Sequence, residues 1–175
     1  MIEMHEGELR PMNVNDLEQV LAWRNHPSIN RYMLTQHEIS EEEHRQWFVR
    51  ASEAPDKHLL IFEMAGVPLG FVHFTGGVST SSADWGFYTA VDAPKGSGRK
   101  LGKLALDYAF GQAGFHKVCG QALDNNQASI RLHLALGFKQ EGVLRQQHYI
   151  GGIYHDMICF GLLRNEWPEG ARGAT

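Results

Sequence analysis

Apolar residues recur along the chain with two periods, and the switches between them mark out its elements. Glu8–Met12 reads as a short strand. Leu17, Val20 and Leu21 follow at helical spacing, with Asn15 and Glu18 in capping-box positions and Pro27 closing the helix. Ser40 and Glu43 form a second box ahead of Trp47, Phe48 and Ala51. His58–Met64 and Pro68–Thr75 read as strands joined through Ala65-Gly66-Val67 in a hairpin. Asp84–Val91 is β-rich and ends at the turn signal Asp92-Ala93-Pro94. Leu101, Leu104, Ala105, Tyr108 and Ala109 then trace one face of a helix that starts near Arg99. Lys117–Leu123 is a strand, Gln127–Leu136 a helix with Gly137 as its C-cap, and 138–150 with 153–163 a last hairpin around Gly151-Gly152. The order β-α-α-β-β-β-α-β-α-β-β predicts an α/β (α+β) domain. Its mixed, mostly antiparallel sheet has about seven strands, with helices on both faces.

At 175 residues the chain fits a single domain, taken as 7–167, with 1–6 and 168–175 as flexible termini. A hydrophobic share of 43% with 21% charged residues fits a packed globular protein and excludes a disordered one. The net charge of −4 argues against nucleic acid as a partner. No run approaches the ~20 apolar residues of a membrane span, and the N-terminus lacks a signal pattern, so the expected location is cytoplasmic. Cys119 and Cys159 lie in apolar runs and read as small hydrophobes in strands. Ten histidines raise the question of a metal, but no HExxH or CxxC spacing exists, and none is expected.

Three segments carry candidate chemistry. In the first, Pro94-Lys95-Gly96-Ser97-Gly98-Arg99 lies between a strand and a helix. Glycines let backbone amides approach a ligand, and the helix start adds unpaired N–H groups and a positive dipole end. That combination suits an anion, most naturally a pyrophosphate, with Lys95, Arg99 and Lys100 adding charge. A plain glycine-rich turn remains open on this segment alone, and the spacing is not a P-loop. In the second, Arg24 shares the apolar face of Val20 and Leu21, and His44 that of Trp47 and Phe48. Such positions suit either a buried network or a ligand pocket. In the third, Asn126 opens a helix that carries His133 among leucines; a structural histidine or a proton donor both fit.

Together DWGFYTAV, APKGSG and RKLGKLALDYAF resemble the acetyl-CoA motif of the GNAT superfamily of N-acetyltransferases, and NQASIRLHLALGF resembles its second motif. The likeness runs from Leu9 to Trp167. AWRNHPSINRYM and ISEEEHRQWF further resemble the sugar-nucleotide acetyltransferases of pseudaminic acid biosynthesis. That resemblance implies acetyl transfer from acetyl-CoA to the 4-amino group of a UDP-linked 4-amino-4,6-dideoxy-N-acetyl hexosamine, in a ternary complex and without a metal. Pantetheine would run beside Thr89–Val91 and Asn126, and the pyrophosphate would rest on Lys95, Gly96, Ser97, Gly98 and Arg99. Arg24, His44, Thr75 and Tyr88 would contact the nucleotide or sugar, and Met33, Trp47 and Trp85 would form an apolar wall. Two positions depart from the family pattern. Ala93 replaces its usual Arg or Gln, and His133 stands where the family has the tyrosine often assigned as general acid. Imidazolium, with a pKa of about 6.5, is the easier acid of the two, so His133 is the expected proton donor. The base is unassigned. Other acceptors (a protein N-terminus, an amino acid, a polyamine) and a CoA or nucleotide sensor without turnover remain alternatives. A monomer or a homodimer fits equally.

Overall fold

A computed structural model describes residues 7–77 and 81–168. The expected flexible termini fall outside them save for Pro168, as do residues 78–80 of the loop after Gly76. The elements are β1 (Glu8–Pro11), α1 (Leu17–Asn25), α2 (Pro27–Asn30), α3 (Glu41–Glu53), β2 (Lys57–Met64), β3 (Val67–Gly76), β4 (Ser82–Thr89), α4 (Ser97–Phe110), β5 (Lys117–Leu123), α5 (Gln127–Ala135), β6 (Lys139–Ile150) and β7 (Ile153–Leu163). Seven strands form one sheet in the order β1-β2-β3-β4-β5-β7-β6. Every neighbouring pair is antiparallel except β4 with β5. The mixed sheet is the one the element order predicts.

Strand alternation splits the core between the two faces of the sheet. Phe62, Val72, Phe74 and Trp85 pack on one side with Leu101, Leu106 and Phe110 of α4. Ile61 and Phe71, each one residue out of phase, pack on the other with Val20 and Trp23 of α1 and with Trp47 and Phe48 of α3. Each enclosed Phe or Leu contributes about 1.5–3 kcal/mol over an exposed one, so the helices are fixed against the strands that carry the site.

Local departures from the sequence reading have local causes. The first capping box is Asn13 with Asp16, not Asn15 with Glu18, and it opens a 3-10 turn at Val14–Asp16 that runs into α1. Asp16 is drawn there because both its oxygens take hydrogen bonds from Arg10, at 2.8 Å each. Pro27 does more than end α1: it is the first residue of α2, where its missing N–H costs nothing. Ser40 caps α3 by accepting from the Glu43 amide at 3.1 Å, but the Glu43 carboxylate turns to His37 instead of closing the box. The two cysteines do lie in β5 and β7, half-buried rather than enclosed. No helix among the described residues is long and apolar enough to cross a membrane.

Candidate active site

The site begins where the one parallel pair fails. β4 and β5 are joined only from Ser82 to Asp84, opposite Lys117 to Cys119. Beyond that point β4 stays paired to β3 as far as Thr89, while β5 follows β7 to Leu123. Each strand keeps its antiparallel partner, and a cleft opens between them. Among the described residues, no strand pairs with the β4 backbone on that side of the cleft.

At the end of β4 the chain turns into α4. Gly96 takes φ +91°, a left-handed conformation that strains any residue with a Cβ. No side chain caps the helix: the Ser97 hydroxyl donates to the Pro94 carbonyl at 2.7 Å, facing away from the cap role. The Ser97 amide donates to the same Pro94 carbonyl at 3.0 Å, so among the described residues the amides of Gly98 and Arg99 are the ones left at the positive end of the helix dipole. Lys95 and Arg99 are exposed next to them. An anionic group suits this helix start, which is where the resemblance puts the pyrophosphate of acetyl-CoA. Asn126 caps α5 through its side chain, which accepts from Ser129 N at 3.2 Å, and it borders the cleft from the far side.

A cavity of about 520 Å³ joins the cleft to the face that carries α1 and α3. Arg24, Met33, His44, Trp47, Trp85 and Tyr88 all line it, so six of the seven substrate residues expected from the sequence converge. Thr75 does not. It lies farther along β3 and accepts from the Lys57 ammonium at 3.1 Å. Arg24 is half-buried, and its guanidinium donates to Asn30 Oδ1 at 2.7 Å and to the Thr35 carbonyl at 3.1 Å. Both partners are neutral. Burial lowers its pKa, yet a guanidinium keeps its charge, so a positive group held by neutral acceptors faces the cavity.

His44 is 6% exposed and stacks on Trp47 at 5.2 Å. Burial lowers its pKa, against a hydrogen bond to the backbone of Leu17, and Arg24 lowers it further. The ring is therefore neutral at pH 7. Its Nε2 has no hydrogen-bond partner among the described residues, a buried acceptor in a side chain that lines the cavity. Of the nucleotide or sugar contacts expected of His44, a neutral ring suits a hydroxyl or N–H donor rather than a phosphate.

The structure also corrects the role of His133. The residue is 1% exposed. The Trp85 indole N–H, a donor only, reaches its Nε2 at 3.0 Å, and Nδ1 donates to the Ser129 carbonyl at 2.8 Å. Both nitrogens are occupied in the neutral tautomer, and burial lowers the pKa. A second proton at Nε2 would point at the Trp85 N–H. His133 is thus a buried brace between α5 and β4, with no proton to give. Sequence reasoning misses His73, which enters the cavity from β3 beside Phe71. Its signal is nonetheless there, since His73 alternates in phase with Phe71 towards α1 and α3.

Comparison with known proteins agrees with this geometry. The family model described as an acetyltransferase (GNAT) domain matches residues 8–139. The spermidine N(1)-acetyltransferase of Escherichia coli is 26% identical over 177 residues, covering 95% of this chain and 91% of that one. The acetyltransferase PseH of Campylobacter jejuni is 27% identical over 123 residues, covering 70% of this chain and 76% of that one. A crystal structure of spermidine N-acetyltransferase from Vibrio cholerae with CoA and spermine superposes with a TM-score of 0.85 at 24% identity, over 92% of this chain and 97% of that one. A splayed parallel pair, an uncapped glycine-led helix at its mouth and a family match over three-quarters of the length have one common reading: the chain belongs to the GNAT acetyltransferases, which move an acetyl group from acetyl-CoA to an amine.

Proposed function

We propose that the acceptor is a nucleotide-linked amino sugar. The chain would acetylate the 4-amino group of a UDP-linked 4-amino-4,6-dideoxy-N-acetyl hexosamine, a step of pseudaminic acid biosynthesis, by direct attack in a ternary complex. Arg24 carries this reading. Among the described residues this half-buried cation donates only to an amide and a carbonyl, with Glu43 acting on it through space, and a diphosphate would supply a direct anionic partner. Arg50 lines the same cavity, against a single carboxylate, Glu43, which already faces His37. A polyamine would bring several positive charges past two arginines to one engaged glutamate. The kinship with PseH supports the sugar nucleotide, and the kinship with the spermidine enzyme keeps a polyamine as the reading to beat.

In this reading the neutral Nε2 of His44 accepts from a sugar hydroxyl. Met33, Trp47 and Trp85 give the 6-deoxy methyl and N-acetyl groups an apolar wall. Backbone amides of β4 along the cleft stabilise the developing oxyanion, and holding both reactants in one cavity supplies much of the remaining acceleration.

The test is thiol release from acetyl-CoA with UDP-linked 4-amino-4,6-dideoxy sugars, spermidine and a peptide with a free N-terminus, with the product weighed for one added acetyl group. Turnover with the UDP-amino sugar is expected, and turnover with spermidine or peptide alone overturns the acceptor. In R24A, kcat/KM for the sugar nucleotide should fall about 10- to 150-fold, the loss of one charge-assisted contact. The affinity for acetyl-CoA should stay within about twofold. Equal loss of both would refute the assignment of Arg24. CoA binding with no turnover of any amine would identify a sensor.

A further inference from the structure

Acetylation of an amine needs a group to take the proton that nitrogen loses, and with His133 occupied the described cavity must supply it elsewhere. His73 and Gly86 face each other across β3 and β4. A Cβ at position 86 would collide with Nε2 of His73 and press on its Cε1 at 3.0 Å and Cδ2 at 3.2 Å. The glycine therefore lets the imidazole lean across β4. Gly86 lies two residues beyond Asp84, the last residue of β4 paired to β5. The ring thus reaches over the strand to the place where the cleft opens, on the side from which Arg24 and His44 face the same cavity.

We infer that His73 is the proton acceptor of the reaction, delivered to the mouth of the cleft by the absence of a side chain at Gly86. It rests on acetyl transfer and not on the identity of the acceptor. No hydrogen bond occupies its imidazole among the described residues, and Phe71 stacks on it at 5.8 Å, so a nitrogen lone pair is free to act. Burial, helped by Lys57, pushes its pKa down to about 4, so the resting ring is neutral. Of the charged groups on the elements around it, Lys57 of β2 acts on the ring directly, and Arg24 of α1 and Glu43 and Arg50 of α3 line the same cavity. His44 and Tyr88, which share the cavity, stay uncharged at pH 7 because burial disfavours their charged forms. When negative charge develops on the thioester oxygen in this low-dielectric space, it favours the imidazolium, and the ring gains basicity when the reaction needs it.

The proton balance closes on one residue. The neutral amine attacks the thioester carbonyl and a C–N bond forms. One N–H proton passes to His73. The C–S bond breaks with its electron pair on sulfur, and the imidazolium returns the proton so that CoA leaves as the thiol. His44 is the natural comparison, because it lines the same cavity from the helical side and its loss should raise KM for the acceptor.

Four measurements on the full chain test this. In H73Q, kcat should fall at least about thirtyfold, the low end of general acid–base contributions, with both KM values within about threefold. H44Q should show the opposite split. Acceptor-free hydrolysis of acetyl-CoA, in which water loses the proton, should fall in H73Q as well, so the test survives if no proposed acceptor turns over. Without any ligand, the His73 ring protons in NMR should titrate well below those of an exposed histidine. G86A, which displaces the ring, should raise that midpoint towards about 6.5 and lower kcat. H73Q/G86A should be no slower than H73Q, since the glycine acts through the histidine. Retention of kcat within about threefold in H73Q, or multiplicative losses in the double variant, overturns the assignment. Turnover of spermidine instead of the sugar nucleotide would remove the acceptor proposed above and leave the H73Q ratio to decide the role of His73.

Discussion

His133 holds α5 to β4 through two directional bonds, and the space for it comes from a third residue. A Cβ at Gly120 would collide with His133 Nε2 and come within 2.7 Å of the Trp85 indole nitrogen. The imidazole also stacks on Phe160 at 4.8 Å and 11°. Replacing His133 with Phe preserves an aromatic ring but strands the Trp85 N–H in the core. An unsatisfied buried donor costs about 1–3 kcal/mol, which urea unfolding of H133F should register. The pH–rate profile of H133F should keep the shape of the wild type. Loss of its alkaline limb would restore the general-acid role that the hydrogen bonds deny. The sequence could expose the residue but not the role. Spacing places His133 on an apolar helix, yet its two partners are a backbone carbonyl four residues away and an indole 48 residues away. Arg24 and His44 are legible because each shares a helical face with its own apolar neighbours. Thr75 is expected from the family resemblance alone, and in the fold it lies farther along β3 and meets Lys57 instead.

At the level of elements, the cofactor loop depends on how α4 begins. The motif is readable because glycine answers a backbone requirement that does not depend on distant contacts: Gly96 adopts φ +91° with open space around the missing Cβ. An alanine there fits sterically but costs about 1–2 kcal/mol of backbone strain, relieved by moving the first turn of the helix. G96A should weaken acetyl-CoA binding about tenfold in calorimetry while lowering stability only modestly. Gly66, at φ +76° in the β2–β3 hairpin and also with open space, supplies the control. G66A should lose similar stability and keep its affinity for acetyl-CoA. Equal affinities in G96A and wild type would remove the α4 start from the anion site. The cleft is less legible than the loop. Nothing local in SADWGFYT or KVCGQAL says that pairing stops after Asp84, since that is decided by β3 and β7 competing for the two strands. The caps of α1 shift for the same kind of reason, Arg10 claiming Asp16 from a different element.

Across the whole molecule, buried histidines couple the fold to pH. Burial lowers the pKa of His44, His58, His73 and His133. In the unfolded chain each would titrate near 6.5, so on acidification the unfolded state binds protons that the folded state refuses. The stability held in these neutral rings is complete above about pH 6.5 and is lost as pH falls through that value towards the depressed folded values. The lowered carboxylates act in a different window. Asp16 beside Arg10 and Asp124 beside His155 keep their contribution until the pH falls below the ordinary carboxylate range of about 4. Between about pH 7.5 and 5.5 a histidine that stays neutral in the fold costs about 1.4 kcal/mol. His73, whose pKa falls to about 4, stays neutral across this range, and His44, His58 and His133 act in the same direction. Urea midpoints should therefore drop steadily across that range, and H133F should flatten the slope. A midpoint independent of pH from about 7.5 to 5.5 would mean that these rings take up protons in place, and with that the neutral states assigned to His133 and His44 would fall together.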